Sequence, residues 1–420
     1  MDRGQSIAPR NRILLLLLLA YVFNFIDRSI IGILAVPIRA EFGLSDTALG
    51  GLMIAFGIVY AVAAVPLGSL ADRTGRAKMV AAAVAVWSLF TVVCGTVNNY
   101  SQLALARMGV AVGEAGGIAP SYALISDYFP KSSRARALAI FSFGVPIGSA
   151  LGIFFGGQLA AALSWRTAFV LIGLAGLPVA FLIHWLVAEP ARAQALQPTP
   201  AGRDRSFLRV PSFWLLSLGA AANSIPGYGF TFWLPSFFHR SFDLPVGQVG
   251  TFYGSVVLVG GLAGIWLGGW LADRLGTERP ATYALIPAGC FVLAVPIYAT
   301  ALFAPSLPLA WLLFVTAQML AFAWLGPVVA AIQQIVAPQS RATASAGFLF
   351  ITNLIGIAGG SFVLGSISDA IKATYGADSL RYSILYVLLF YLLSAAFYLG
   401  AATRLSRDMK LNDPEISGSA

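Results

Sequence analysis

Charge is scarce in this chain: Asp, Glu, Lys and Arg together make up 10% of its 420 residues. A water-soluble domain carries about a quarter charged residues, so the composition excludes an ordinary soluble globule. Cysteine is nearly absent, and Cys94 and Cys290 both fall inside apolar runs. That excludes a disulfide framework and a cysteine-based zinc cluster, and leaves buried packing as their role. Histidine is equally rare. His184 and His239 lie near the ends of two apolar runs that thread to opposite sides of a membrane, so they cannot form one catalytic site and the chain is not read as an enzyme. No Gly-rich phosphate loop ending in Lys-Ser or Lys-Thr occurs, which argues against ATP as the energy source. No metal and no cofactor is implied.

What is present is apolar. Hydrophobic residues make up 58% of the chain, and mean hydropathy is +0.82. At roughly 20 residues per crossing, the runs predict an all-α membrane protein of twelve transmembrane helices, near 13–36, 48–71, 79–97, 101–128, 135–162, 167–187, 213–238, 247–272, 283–303, 307–336, 341–371 and 380–403. The run starting at Ile13 continues to Val36 without a small-residue cleavage site, which reads as a retained first span rather than a signal peptide.

The chain also repeats itself. Gly68-Ser-Leu-Ala-Asp72-Arg73-Thr-Gly75 returns 201 residues later as Gly269-Trp-Leu-Ala-Asp273-Arg274-Leu-Gly276, identical at six of eight positions. Repetition over half the length predicts two six-helix bundles, 1–190 and 212–420, joined by a tether at 191–211. Duplicated halves are the plan of secondary transporters, whose sites lie near the midplane where the repeats meet. Threading the chain with its N-terminus inside puts 19 of the 26 Lys and Arg residues on one face; Arg39, Arg166, Arg240, Lys372 and Arg381 fall on the other. Both termini are therefore expected in the cytoplasm, and the net charge of +9 reads as topology rather than as a nucleic-acid surface.

In this threading both copies of the repeat end a span on the cytoplasmic side. Gly68, Asp72, Arg73 and Arg76, with Asp273 and Arg274, form an expected conformational latch: glycine permits close helix contact, and the charges pair with neighbouring helix ends in one state only. The pattern resembles the signature of the major facilitator superfamily, and the likeness covers essentially the whole chain. Glycines at four-residue spacing, Gly144 to Gly156, Gly260 to Gly268, and Gly356 with Gly360, offer smooth helix faces that suit either sliding or static close packing.

Only four charges remain deep inside the spans: Asp27 and Arg28 in the first, Arg107 and Glu114 in the fourth. An intramembrane charge costs roughly 2.5–3.5 kcal/mol on insertion scales, which makes each a functional candidate. Arg107 and Glu114 share one helical face about 10 Å apart along the axis, and counting from the span ends places Asp27 at a depth between them. Burial favours a neutral carboxyl group and a nearby guanidinium an ionised one, so a change of pairing changes proton affinity. Glu114, with no basic neighbour within one turn, is the expected proton-coupling residue; Asp27, beside Arg28, is its partner. A permanently paired structural salt bridge is the plainer alternative.

Asn24-Phe-Ile-Asp27-Arg28, Arg107-Met-Gly-Val-Ala-Val-Gly113-Glu114-Ala115 and Ser126-Asp127-Tyr128-Phe129-Pro130 closely resemble the Spinster family of that superfamily. Trp165-Arg166-Thr-Ala-Phe169 and Glu189-Pro190 fit as well. The resemblance implies a bacterial inner-membrane, proton-linked transporter of a lysophospholipid- or sphingoid-phosphate-like anionic amphiphile. It implies a cavity containing Asp27, Arg28, Arg107 and Glu114, with Asn24 and Tyr60 joining the substrate set and Arg28 and Arg107 holding the anion.

In the second half Asn223, Gln318 and Asn353 count to similar depths and can hydrogen-bond a headgroup. Tyr228, Phe230 and Trp233 among the surrounding aromatics suit an acyl chain, with Pro226, Gly227 and Gly229 expected to break the seventh span. The protein is expected to act as a monomer among membrane lipids. Three alternatives stand beside this reading: a proton-linked multidrug transporter, a carrier of small organic anions, and a receptor or sensor that binds without transporting.

Overall fold

The structure, a computed structural model, describes residues 7–189, 206–276, 279–336 and 340–410; the side chains of residues 7–9, Asp72, Lys131, Ala135, Ser206, Arg341, Ala342 and Lys410 lie outside that description. Most of the expected tether at 191–211 also lies outside it. Among the described residues every regular element is helical, and the helices make up the twelve expected spans. The first three are Ile7–Phe42, Asp46–Thr74 and Arg76–Cys94. The fourth is Tyr100–Ala115 continued by Ile118–Tyr128, the fifth Lys131–Ser142 continued by Gly144–Ala162, and the sixth Trp165–Leu186. The seventh to ninth are Pro211–Phe242, Val246–Leu275 and Thr282–Leu302. The tenth is Leu307–Phe322 with Leu325–Gln334, the eleventh Arg341–Ala370, and the twelfth Ser379–Val387 with Leu389–Lys410.

Ten of these are long and apolar enough to cross a membrane on length and composition alone. The fourth and seventh fall short for a reason that bears on function. Arg107, Glu114 and a helix break interrupt the fourth, and Asn223, Ser224 and Tyr228 dilute the seventh.

Short polar residues start the spans. Ser45 Oγ accepts from Ala48 N at 3.1 Å, Asn99 Oδ1 from Gln102 N at 2.9 Å and Ser164 Oγ from Thr167 N at 3.0 Å, each satisfying an N–H that has no partner within its helix. Between the second and third spans Gly75 has φ +105°, a conformation that only glycine adopts without strain.

The chain forms two compact units, Met1–Gln194 with Thr231–Ser255, and Ala195–Phe230 with Val256–Ala420. In the first unit the Gly144–Gly156 face seats on the first span: a Cβ at Gly148 would lie 2.4 Å from Val22 O, and one at Gly152 would lie 2.6 Å from Ile26 O. In the second, Gly260, Gly264 and Gly268 seat on the tenth span, and Gly356 and Gly360 on the seventh. All three smooth faces therefore pack helices within one unit. A clasp also ties the first, third and sixth spans: Glu41 Oε2 accepts from Trp165 Nε1 at 2.7 Å and Arg166 Nη1 at 2.6 Å, and Arg166 Nη2 donates to Val97 O at 3.0 Å.

The seventh span does not break where Pro226, Gly227 and Gly229 led one to expect; it is one helix from Pro211 to Phe242. Gly229 serves proximity instead, since a Cβ there would lie 3.0 Å from Gly360 O on the eleventh span. Asp408, near the end of the twelfth span, caps the start of the seventh by accepting from Ser212 N at 3.1 Å and Ser212 Oγ at 2.6 Å. The second unit's core is aromatic: Phe291 stacks on Tyr391 at 4.9 Å, and Tyr298 meets both Tyr391 and Phe230.

Candidate functional site

The four intramembrane charges converge in the first unit. Arg28 Nε donates to Glu114 Oε2 at 2.6 Å, with Glu114 wholly buried and Arg28 nearly so. Glu114 Oε1 has no hydrogen-bond partner. The Arg28 guanidinium lies 4.8 Å from the centre of the Tyr60 ring and 5.4 Å from that of Phe25, where the ring faces attract a cation. Asn24, 1% exposed, lies against Glu114.

Asp27 points elsewhere. Its Oδ1 accepts from Thr91 Oγ1 at 2.6 Å, while the same hydroxyl lies 2.9 Å from Trp87 O on its own helix. Thr91, a hydroxyl in an apolar run, carried no sequence signal that set it apart. Arg107 is fully buried. Its Nη1 donates to the carbonyl of Asp27 at 3.2 Å and its guanidinium lies over Phe56 at 5.0 Å, yet Nε and Nη2 have no partner. A buried cation with unpaired donors is expensive, and an anion is the group that removes the cost.

The local sequence explains why these groups can meet. A Cβ at Gly113 would lie 2.5 Å from the backbone N of Trp87, and one at Gly117 2.9 Å from the Trp87 ring, so glycines admit the third span against the fourth. Immediately after Glu114 the helix tightens: Gly116 N and Gly117 N bond to Gly113 O and Glu114 O, three residues back.

Of the second-half candidates, Tyr228 OH donates to Asn353 Oδ1 at 3.1 Å, and Tyr298 OH to Gln318 Oε1 at 2.7 Å. Phe230 is buried against Tyr298, and Asn223 beside Tyr398. Trp233 belongs to the first unit, fully buried and edge-on to Phe232.

Around the first copy of the repeat, Arg76 Nη1 pairs with Asp127 Oδ2 at 2.6 Å. Glu189 caps the third span, accepting from Arg76 N at 3.0 Å and Ala77 N at 2.9 Å, an anion at a helix N-terminus. Tyr128 OH donates to Ala188 O. Arg73 is exposed, and the Asp72 side chain lies outside the described residues. In the second copy Asp273 and Arg274 are exposed, with Arg274 over Trp270 at 5.3 Å. Among the described residues a Cβ on Gly68 or Gly269 would meet nothing within 4 Å.

One further cluster lies at the ends of the first, second and seventh spans. Asp46, 2% exposed, accepts from Arg240 Nη1 and Nη2 at 2.8 and 2.7 Å, and Arg39 Nε lies 3.5 Å away. This binds the end of the seventh span to the ends of the first and second. Its only signal was an acidic residue one position after a helix-capping serine.

A family model, the Major Facilitator Superfamily, matches residues 17–361. The chain belongs to the major facilitator superfamily. Within it, a crystal structure described as a bacterial homologue of the human lysosomal transporter Spinster, inward-facing and unoccupied, superposes with a TM-score of 0.86 at 31% identity, covering 96% of this chain and 99% of that one. An MFS-type efflux pump of Mycolicibacterium smegmatis is 35% identical over 94% of this chain and 92% of its own length. Human Protein spinster homolog 1 is 26% identical over 100% and 86%. This facilitator is thus a multi-pass membrane protein closely related to the Spinster transporters, and a secondary transporter of the alternating-access type.

Proposed function

We propose that this protein carries an anionic amphiphile, lysophospholipid- or sphingoid-phosphate-like, across the membrane in a cycle coupled to protons. One observation carries the reading: the fully buried Arg107, with two donor atoms unpartnered, beside an Arg28–Glu114 ion pair. A phosphate that engages the arginines competes with Glu114 for Arg28, and a carboxylate released from its cation gains proton affinity. Substrate and proton are then linked through one guanidinium. The polar and aromatic second-half residues, Asn223, Tyr228, Phe230, Gln318 and Asn353, together with Trp233, are proposed to meet the headgroup and chain. The protein is proposed to work as a monomer in a bacterial inner membrane, with both termini cytoplasmic.

The relative described as an efflux pump favours a second reading, proton-linked export of lipophilic compounds. Flux into proteoliposomes separates the two. Lysophospholipids and sphingoid phosphates are expected to be transported, small organic acids and cationic dyes to be inert; transport of the dyes alone would reverse the assignment.

Alternating access is proposed to use charge locks, one at Asp46 and one at the repeated Asp-Arg motif. Asp46→Asn weakens the bidentate hold on Arg240, so spin labels beside residues 46 and 240 should show a longer, broader distance distribution. Asp273→Asn should shift distances between labels placed beside the second copy of the repeat. Unaltered distributions in both variants would reduce these charges to topology signals.

A further inference from the structure

The first unit holds a small, partly open pocket of about 10 Å³, close to the smallest space that holds one water, roughly 10–15 Å³; it reaches Glu114 through Asn24, a wall residue that lies against the carboxylate. Its polar walls are Asn24, Trp87, Ser121 and Tyr21. Asn24 lies against Glu114, Trp87 Nε1 has no hydrogen-bond partner, and both residues are at most 2% exposed. Ser121 Oγ donates to Gly117 O at 2.8 Å, which leaves its lone pairs available. Tyr21 stacks on Phe141, another wall residue. A bound water accepts from amide and indole N–H groups and donates to amide, hydroxyl or carboxylate oxygens, and these walls hold both kinds of partner.

The cavity's position gives such a water a task. Gly117, Ile118 and Ser121 follow Glu114 along the fourth span toward Tyr128, and Asn24 precedes Asp27 on the first span. The cavity therefore lies on the side of Glu114 that faces the 72–78 loop. Glu114 Oε2 is held by Arg28, and Asn24 connects the carboxylate to the pocket. The other charged groups near Glu114 are Asp27 and Arg107. Arg107 donates to the Asp27 carbonyl and the Asp27 carboxylate faces Thr91, so both are engaged away from the cavity.

We propose that the cavity is a proton-relay water site serving Glu114 from the loop side, with Asn24 and Trp87 as positioning residues that orient the water. In the relay step an O–H bond of the site's protonated water breaks as an O–H bond to Glu114 Oε1 forms, leaving neutral water against Asn24. Release reverses the step. The inference rests on the reading of Glu114 as the proton-coupling residue.

Protons alone serve as the probe. After a rapid pH jump on the purified full-length protein, time-resolved infrared spectroscopy follows the carboxyl band of Glu114, identified by its loss in Glu114→Gln. Asn24→Leu removes both amide partners, and Trp87→Phe keeps an aromatic ring while deleting one donor. Trp87→Phe is expected to slow the band about fivefold, the effect of one lost hydrogen bond, and Asn24→Leu to slow it further; a high-resolution structure of the unsubstituted protein should show ordered water against Asn24. If Asn24→Leu does not fold, Trp87→Phe and the water density decide. A Glu114 band that responds at an unchanged rate in the variants, or a dry cavity, overturns the relay. A protein in which no Glu114 band responds to pH overturns the coupling reading itself.

Discussion

A Glu114→Gln protein in sealed proteoliposomes should lose uphill uptake driven by an imposed pH gradient while retaining exchange of labelled for unlabelled substrate. Exchange needs the carrier to reorient with substrate bound and requires no net proton movement, so the two assays separate coupling from translocation. Glutamine preserves the size and one acceptor oxygen, so the 2.6 Å contact with Arg28 can survive as a weaker bond to a neutral group. Arg28 then has no competing carboxylate, and the anionic substrate should bind more tightly at neutral pH. Asp27→Asn is expected to impair both assays, because the Asp27 backbone and side chain tie Arg107 and Thr91 into the same cluster. Concentrative uptake that persists in Glu114→Gln would sink the assignment.

Replacing Arg107 by alanine should have an equally large effect on recognition. Charge-assisted hydrogen bonds contribute about 1.5–3 kcal/mol each, or about 10- to 150-fold in affinity. Binding of an anionic lysolipid should therefore fall by at least an order of magnitude, while an uncharged analogue with the same acyl chain changes little. Arg107→Lys should restore part of the loss: it returns the charge but not the planar fork. Lysine also has fewer ways to keep the Asp27 carbonyl satisfied while reaching an anion. Equal losses for both ligands would make Arg107 a packing residue, and isothermal titration with the two lipids distinguishes these outcomes.

The sequence was most informative where burial and polarity conflict. Four charges in apolar runs stood out because water cannot solvate them there, and they do converge. The partner assignment was less legible, because helix rotation decides which atoms meet. Depth counting placed Asp27 between Arg107 and Glu114, but it could not show that Arg107 reaches the Asp27 carbonyl while the carboxylate turns to Thr91. Glycine spacing marked close helix contacts correctly without telling which helix approaches. The expected break of the seventh span failed because helix continuity in a bundle depends on neighbours, and Gly229 is used for the approach of the eleventh span. Asp46 passed unnoticed because a carboxylate next to a serine cap looks like ordinary helix-start chemistry; its burial by Arg240 comes from residues 194 positions apart.

Asp408 supplies the cap of the seventh span from 196 residues downstream, and this has a consequence for biosynthesis. All three residues of the Glu41–Trp165–Arg166 clasp have been synthesised before the second half is begun. The seventh span, in contrast, waits for its cap until nearly the last residue of the twelfth has been synthesised. Maturation is thus expected to be staggered: the charge-bearing helices can settle early, whereas the seventh helix lacks its cap until translation is almost over.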